Sequence, residues 1–212
     1  INGSTFEGNS SDSRHGAAIY NNGTGTINIT GTGFKNNNAY SNGGAIYNDG
    51  GNFNISNAEF SNNSGSYGGA IYSGSGEVTI DNSKFQNNSS KDSGGAIQNY
   101  GTMTITNSSF EGNNTTGTNG IGGAISNYGT LTLENTSFKN NTVENSGGAI
   151  SNINNITITA KNGNAVEFTG NKATNNENTS AIYNNGKLNL SADNTSSITF
   201  NDSIGGFGGD IT

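Results

Sequence analysis

The chain has no cysteine, no proline and no tryptophan among its 212 residues, and His15 is its single histidine. Without cysteine, neither a disulfide framework nor a thiolate metal site can form. With only one histidine, a zinc site is disfavoured as well, because zinc in proteins is held mainly by histidine and cysteine. We therefore expect no metal and no cofactor, and we expect packing and hydrogen bonds to hold the fold together.

Charge is also scarce, since charged residues make up 11% of the chain and acidic residues outnumber basic ones by 15 to 8. The net charge is −7, and Arg14 is the only arginine. A nucleic-acid groove or a surface that binds anionic membranes needs clustered lysine and arginine. No stretch is long and apolar enough for a membrane-spanning helix. We therefore expect no nucleic-acid partner and no direct membrane insertion by this part of the protein.

Hydrophobic residues are few, at 28%, whereas glycine occurs 34 times and asparagine 42 times. Low hydrophobicity predicts disorder when it comes with high charge and abundant proline. Here both are missing, and isoleucine and phenylalanine recur at regular intervals. The composition therefore indicates an elongated fold with a thin core and many turns. Because the sequence begins and ends inside a repeat, we interpret it as a fragment of a longer protein.

Three short motifs recur in a fixed order about every 25 to 32 residues. The first is a phenylalanine followed three residues later by asparagine (FxxN), and it begins at Phe6, Phe34, Phe60, Phe85, Phe110, Phe138 and Phe168. The second is GGAI, which is intact at 43–46, 68–71, 94–97, 122–125 and 147–150 and altered at 16–19, 179–182 and 208–211. The third is a pair of apolar residues separated by one position, at 27/29, 53/55, 78/80, 103/105, 131/133, 156/158 and 188/190.

Each motif has the alternating spacing of a short strand, and the segments between motifs are rich in asparagine, glycine and serine, which favour turns. A unit of about 25 residues is too small to bury three strands alone, so successive units must stack. The repeat therefore predicts an all-β fold, a right-handed parallel β-helix (β-solenoid) with about eight coils of three short strands. The handedness follows from the general rule for parallel crossovers. We expect a single repeat domain over residues 1–212.

Stacking places like residues above one another and predicts columns of core side chains. The apolar columns contain Ile46, Ile71, Ile97, Ile125 and Ile150 from GGAI and Phe34, Phe60, Phe85, Phe110 and Phe138 from FxxN. Two residues after the GGAI isoleucine, on the same side of the strand, stand Asn21, Asn48, Asn99, Asn127, Asn152 and Asn184, with Ser73 in the remaining coil. Buried amides need hydrogen bonds, and stacked amides can bond the copies above and below, which predicts a structural asparagine ladder. The paired glycines predict positive φ or crowding against a neighbouring coil.

Outward-facing tyrosines are the candidate binding residues. Tyr20, Tyr47, Tyr72 and Tyr183 follow the GGAI isoleucine directly, so their side chains are expected to be exposed on the opposite side of the strand. Exposed tyrosine is common in binding surfaces. The alternative is that these rings stack across strands and cover the backbone between coils. The sequence leaves both interpretations open.

β-Helices also occur in polysaccharide-degrading enzymes, and glycosidases need two facing carboxylates roughly 5–10 Å apart. Asp12, Asp92 and Glu144 share the loop between the FxxN and GGAI motifs and form a candidate edge by position only. No histidine–aspartate pair is available to activate a serine. The stretch GGFGGD at 205–210 matches one copy of a calcium-binding repeat that needs adjacent copies to supply its ligands. We therefore predict that the chain is not an enzyme, and we expect no catalytic residue and no metal site.

The FxxN and GGAI motifs together, as in FEGNNTTGTNGIGGAI at 110–125, resemble the polymorphic outer membrane protein repeats of chlamydial and related autotransporters. The resemblance covers nearly the whole chain and weakens toward the ends, where GAAI and TSAI replace GGAI and Phe200 lacks the following asparagine. It implies an autotransporter passenger region that is displayed on the bacterial cell surface and outer membrane, or secreted. It also implies adhesion to host cells, with a host-cell surface protein or glycan as partner, or self-association.

Our first hypothesis is accordingly a non-enzymatic adhesin module. The alternatives are a β-helix enzyme that degrades polysaccharide and a purely structural stalk that displays a distal domain. A carboxylate cluster on one face would favour the enzyme, an exposed aromatic or flat polar patch the adhesin, and a featureless surface the stalk.

Overall fold

The fold is a parallel β-solenoid, seen in a computed structural model that describes residues 1–12, 14–206 and 210–212. Each turn of the solenoid, called a coil below, passes through parallel sheets that we number 1 to 4 in chain order. Three sheets have eight strands and one has seven, so the described chain completes about eight coils. The all-β, parallel, stacked architecture that the repeat predicts is therefore confirmed.

Sheets 1 and 2 are formed by the FxxN motif and by the residues that follow it. The strands of sheet 1 are Thr5–Glu7, Gly33–Lys35, Glu59–Ser61, Lys84–Gln86, Ser109–Glu111, Ser137–Lys139, Ala165–Thr169 and Ser197–Phe200. The strands of sheet 2 are Ser10–Ser11, Asn38–Ala39, Ser64–Tyr67, Ser89–Ser93, Asn114–Thr115, Thr142–Val143 and Lys172–Ala173. Among the described residues the only helix is the 3-10 turn Glu177–Thr179.

Sheets 3 and 4 are formed by the GGAI motif and by the apolar pair. The strands of sheet 3 are Ile19–Asn21, Ile46–Asn48, Ile71–Ser73, Ile97–Asn99, Ile125–Asn127, Ile150–Asn152, Ile182–Asn184 and Ile204–Gly205. The strands of sheet 4 are Thr26–Thr30, Asn52–Ser56, Glu77–Asp81, Thr102–Thr106, Thr130–Glu134, Asn155–Ala160, Lys187–Ala192 and Asp210–Ile211.

Sheet 2 is a difference from the sequence-based prediction, which gave each coil three strands. The residues after the FxxN asparagine pair with neighbouring coils over two to five positions. In most coils this strand carries a single small inward side chain, such as Thr115 or Val143, and therefore lacks the paired apolar spacing that marks a strand. The sequence of this segment consequently predicts a turn, whereas in the structure the segment forms a short parallel strand.

Asp210 and Ile211, which end the GGDI stretch, lie in a different column from the one predicted. Ile204 pairs with Ile182 and so takes the isoleucine position of sheet 3, whereas Asp210 pairs with Lys187 in sheet 4. The reason is that sheet 2 has no strand in this last coil, so the chain reaches sheet 3 four residues after Phe200.

The core consists of columns of stacked side chains of similar type. The phenylalanine rings of sheet 1 stack with centroids 4.6 to 5.1 Å apart from Phe6 to Phe200. Neighbouring strands of a sheet lie about 4.8 Å apart, so the strand ladder itself sets this ring spacing. The fully buried members of the two main columns are Phe34, Phe60, Phe85, Phe110, Phe138 and Phe168, and Ile46, Ile71, Ile97, Ile125, Ile150 and Ile182.

Both glycines of GGAI are required, each for a different reason. The first glycine has positive φ, as at Gly94 with +62°, where an L side chain would be strained. The second glycine lies against the next coil: a Cβ on Gly95 would sit 1.9 Å from the carbonyl oxygen of Gly123. The expectation of positive φ or crowding is therefore confirmed, and the motif satisfies both conditions at once.

Asparagine also shapes the corner between sheets 1 and 2. The second residue after each sheet 1 phenylalanine from Phe6 to Phe168 has φ between 54° and 70°, and in these seven cases it is asparagine or glycine: Gly8, Asn36, Asn62, Asn87, Gly112, Asn140 and Gly170. These two residue types tolerate the left-handed conformation best. The abundance of asparagine is thus partly a requirement of the corners.

Candidate functional site

The outer face of sheet 3 carries a continuous row of stacked rings, which we call the aromatic ladder and which consists of His15, Tyr20, Tyr47, Tyr72, Tyr100 and Tyr128. Parallel pairing sets Tyr20, Tyr47 and Tyr72 directly above one another. Their ring centroids are 5.2 and 5.1 Å apart, again close to the strand spacing. The ladder extends over five successive coils.

The ladder changes position at the fourth coil. There Gln98 occupies the place beside Tyr72, and the next aromatic ring comes from Tyr100 in the corner that follows. The rings of Tyr72 and Tyr100 are tilted by 46° at 5.7 Å, and Tyr100 then stacks on Tyr128 at 5.0 Å. The sequence contained this signal, because two tyrosines stand at equivalent corners, but only the structure shows that they continue the row.

Exposure differs along the ladder and corrects one expectation. Tyr20, at one end, is 53% exposed, whereas Tyr47 is only 8% exposed. The prediction that Tyr47 is exposed is wrong, because its ring is enclosed by Tyr20, Tyr72 and His15, the last at 4.4 Å. Tyr72 and Tyr183 are half-buried. Tyr183 lies two coils beyond the end of the ladder and does not join it.

Four tyrosines of the ladder, Tyr47, Tyr72, Tyr100 and Tyr128, are neutral hydrogen-bonding groups at physiological pH. Burial, together with the nearby carboxylate of Asp49, raises the pKa of Tyr47 to about 12. Burial is also the main cause that raises the pKa of Tyr72, Tyr100 and Tyr128, and neighbouring tyrosines add to it. The ladder therefore presents apolar ring faces with uncharged phenol groups at their edges.

The asparagines of sheet 3 form a hydrogen-bonded ladder inside the solenoid. The side-chain nitrogen of Asn127 donates to Asn152 Oδ1 at 2.8 Å, and equivalent bonds of 2.7 to 2.8 Å join Asn21 to Asn48, Asn99 to Asn127 and Asn152 to Asn184. Ser73 interrupts the row. Asn127 Nδ2 also donates to the backbone oxygen of Gly129, which ties the strand to the next corner. The geometry is that of a structural ladder.

The FxxN asparagines form a second asparagine ladder, which was not predicted from the sequence. Each side-chain nitrogen donates to the side-chain oxygen of the next copy at 2.7 to 3.0 Å, in the order Asn9, Asn37, Asn63, Asn88, Asn113, Asn141 and Asn171. Asn171 then donates to Asp202, whose carboxylate is the last acceptor in the described chain. The regular FxxN spacing was the available signal, but spacing alone does not show that the asparagine points inward after a left-handed corner.

The three acidic residues of the candidate edge lie on three different coils. Asp12 lies in coil 1, Asp92 in coil 4 and Glu144 in coil 6, by the register of sheet 2. At about 4.8 Å per coil, Asp12 and Asp92 are roughly 14 Å apart. The loop 117–121 of coil 5 lies between the coils of Asp92 and Glu144, and Glu144 accepts a hydrogen bond from Asn175.

Within the part of the chain that the structure describes, no three histidine, aspartate or glutamate residues cluster as metal ligands would. Residues 207–209, the middle of the candidate calcium stretch, lie outside the described residues. No described helix is long and apolar enough to cross a membrane.

The repeats were also compared with known proteins. Five segments match the model of a family described as Chlamydia polymorphic membrane protein (Chlamydia_PMP) repeat, at residues 3–22, 34–49, 57–74, 82–100 and 135–153. No curated protein and no solved structure gives a significant match. The matched segments include several copies of both FxxN and GGAI, the motifs that form sheets 1 and 3.

Proposed function

Because the chain is a region of polymorphic membrane protein repeats, a type found on bacterial surface proteins, we propose that it is a non-enzymatic adhesive module of an autotransporter passenger. We further propose that the aromatic ladder is the surface that contacts a host cell. The observation that carries this proposal is the row of stacked tyrosines over five coils, with exposed rings at Tyr20, Tyr100 and Tyr128.

Tyrosine supports adhesion because a single side chain offers both apolar area and a polar edge. Tyr47 and Tyr72 hold their neighbours in a fixed stack, so little side-chain entropy remains to be lost when a partner binds. A rigid solenoid also keeps successive rings about one strand spacing apart, which suits an extended partner surface. These features together favour contact through the ladder over a featureless stalk.

The enzyme alternative receives less support from the geometry. Hydrolysis of a glycosidic bond needs two carboxylates that face one cleft. Asp12 is far from the other two acidic residues of its edge, and Asp92 and Glu144 are separated by the loop of an intervening coil. The tyrosine surface therefore supports binding better than these three acidic residues support catalysis.

The proposal is tested by flow cytometry of epithelial cells incubated with the fluorescently labelled chain. The ladder variant combines Tyr20→Ser, Tyr72→Gln and Tyr100→Asn. Each replacement is the residue found at the equivalent position of another coil, namely Ser126, Gln98 and Asn185. The matched control is Tyr40→Ser, because Tyr40 is 73% exposed, directly follows the sheet 2 strand Asn38–Ala39 and lies outside the ladder.

We expect saturable binding of the native chain, retention in Tyr40→Ser and loss in the ladder variant, with the far-UV circular dichroism spectrum of the folded chain kept in all three proteins. Equal binding of all three proteins would contradict a contact through the ladder. No binding of the native chain above an unrelated control protein would contradict host attachment. Light scattering that rises with protein concentration in that case would indicate self-association through the open sheet edges at the ends of the solenoid.

A further inference from the structure

Coil 5 departs from the repeat between sheets 2 and 3. Eight residues, 114–121, separate its FxxN asparagine from the first glycine of GGAI, whereas five residues do so in the coils on either side. The additional residues form the turn 117–120, in which Gly120 N donates to Gly117 O at 2.8 Å. This segment is the longest of its kind among the seven FxxN copies, and a loop longer than its neighbours is a position where a binding function commonly resides.

The loop is anchored at both ends, and its tip, Thr118 and Asn119, is exposed. Gly117 N donates to Lys91 O at 2.8 Å, and the hydroxyl of Thr115 donates to Gly122 O at 2.9 Å. Between these anchors the loop forms one wall of a cleft of about 370 Å³. The remaining walls come from coils 3 to 5, and the side chains used below are Tyr67, Lys91, Asp92, Ser93, Ile121 and Tyr128. This volume lies within the range of small-ligand sites, roughly 300–1,000 Å³.

The cleft combines aromatic walls with free polar groups. Tyr67 is 38% exposed and Tyr128 is 37% exposed. The described residues contain two ion pairs, Lys35–Glu59 and Lys161–Glu134, so neither Lys91 nor Asp92 is paired with an opposite charge. The carboxylate and the ammonium group are therefore available to a bound molecule.

A buried amide behind the cleft wall provides an independent observation. Ser93 lines the cleft and donates its hydroxyl to Gln98 Oε1. Gln98 is fully buried, and its Nε2 has no hydrogen-bond partner among the described residues. Buried amide donors are normally satisfied by protein, water or ligand. While Ser93 donates to Gln98, its hydroxyl oxygen can still accept a hydrogen bond from a ligand hydroxyl, which joins the ligand to this polar network.

From this combination we propose that the cleft of coils 3 to 5 binds a saccharide unit of a glycan. A pyranose ring presents an apolar C–H face, which suits Tyr67 and Tyr128, and a rim of hydroxyls, which suits Asp92 as acceptor and Lys91 as donor. A lipid chain would remove water from the charged groups of Lys91 and Asp92 without replacing its hydrogen bonds, and a phosphate group would be repelled by Asp92. This inference rests on the proposed function, because it names the chemical class of the host-cell group that the adhesive module would bind.

The test is binding of the purified, labelled chain to a printed oligosaccharide array, with competition by free monosaccharides. The loop variant replaces residues 114–121 with residues 142–146 of coil 6, TVENS, so that coil 5 regains the regular length with an equivalent inward side chain. Asp92→Ala is the second variant and alters one partly exposed side chain without changing the backbone. Tyr40→Ser again is the control.

We expect at least one saccharide class to bind the native chain and Tyr40→Ser equally, and we expect about tenfold or greater loss in both cleft variants. Absence of binding to every saccharide, or unchanged binding by the cleft variants, would overturn the inference. If the loop variant fails to fold, Asp92→Ala decides alone. Cell attachment by a native chain that binds no saccharide would refute saccharide binding by the cleft and leave the proposed function intact. Array binding without cell attachment would support saccharide binding by the cleft and contradict attachment to host cells.

Discussion

Asn88 is the rung of the FxxN ladder whose replacement gives the sharpest expectation. It is fully buried, and its Nδ2 donates to Asn113 Oδ1 at 3.0 Å and to Phe60 O at 2.9 Å. Its Oδ1 accepts from the backbone nitrogen of Asn63 at 3.0 Å and from Asn63 Nδ2 at 2.9 Å. Asn88→Asp keeps the shape and both accepted bonds, but it replaces the donor with an oxygen that faces two other oxygens.

The magnitude follows from the two donated bonds that are lost. Phe60 O loses the side-chain donor at 2.9 Å, and Asn113 Oδ1 loses it at 3.0 Å but keeps the backbone nitrogen of residue 88, also at 3.0 Å. At about 0.5–1.5 kcal/mol for each lost hydrogen bond, these two losses together cost about 1–3 kcal/mol. Burial of the carboxylate charge adds to this cost. We therefore expect Asn88→Asp to lower the free energy of unfolding by about 4 kcal/mol at neutral pH.

The loss should be smaller at acidic pH. Burial and the facing oxygens raise the pKa of the new carboxyl above its unfolded value, and the protonated form regains one O–H donor. Since the folded pKa is the higher one, the variant is relatively more stable below the unfolded pKa, and this advantage is lost as the pH rises through the folded pKa.

The assay is urea unfolding followed by far-UV circular dichroism at neutral and acidic pH. Because a solenoid can unfold in segments, transition midpoints are compared as well as extrapolated free energies. The matched control is Asn87→Asp, since Asn87 is exposed and its φ of 54° is tolerated by aspartate as well as by asparagine. The control should stay within about 0.5 kcal/mol of the native chain. Equal midpoints for the two variants would refute the role assigned to the amide ladder.

Three further changes test the fold and the aromatic ladder. Ile97→Asp places a charge at a fully buried core position and should unfold several coils, and unchanged circular dichroism and melting temperature would contradict the core assignment. Gly95→Ala brings a Cβ against the next coil and should lower the melting temperature, whereas Gly25→Ala, with open space around it, should not; equal melting of the two would show that the coils can separate without loss. Because the folded pKa of Tyr47 is raised to about 12, the stability that its protonated phenol contributes is complete below pH 10 and lost between about pH 10 and 12. The melting temperature of Tyr47→Phe should therefore fall less than that of the native chain over this interval, and parallel curves would contradict the assignment.

The sequence by itself determined the parallel solenoid, because each coil must place the same kind of side chain about 4.8 Å above the last. This constraint repeats Phe85, Ile97 and their equivalents at nearly constant intervals, and intervals are directly visible in a sequence. The crowding at the paired glycines could be predicted for the same reason, since the close approach of Gly95 to the next coil recurs in every intact GGAI motif.

Only the tertiary structure decided how the columns are placed relative to one another around each coil. The fourth sheet, the inward turn of Asn88 and the passage of the aromatic ladder from Tyr72 to Tyr100 all depend on the path of the chain around a corner. The same is true of the cleft, where Tyr67 and Tyr128 are 61 positions apart in the sequence yet line one space. Stacking along the solenoid follows from a periodic sequence, whereas contacts across it depend on corner geometry that periodicity does not encode.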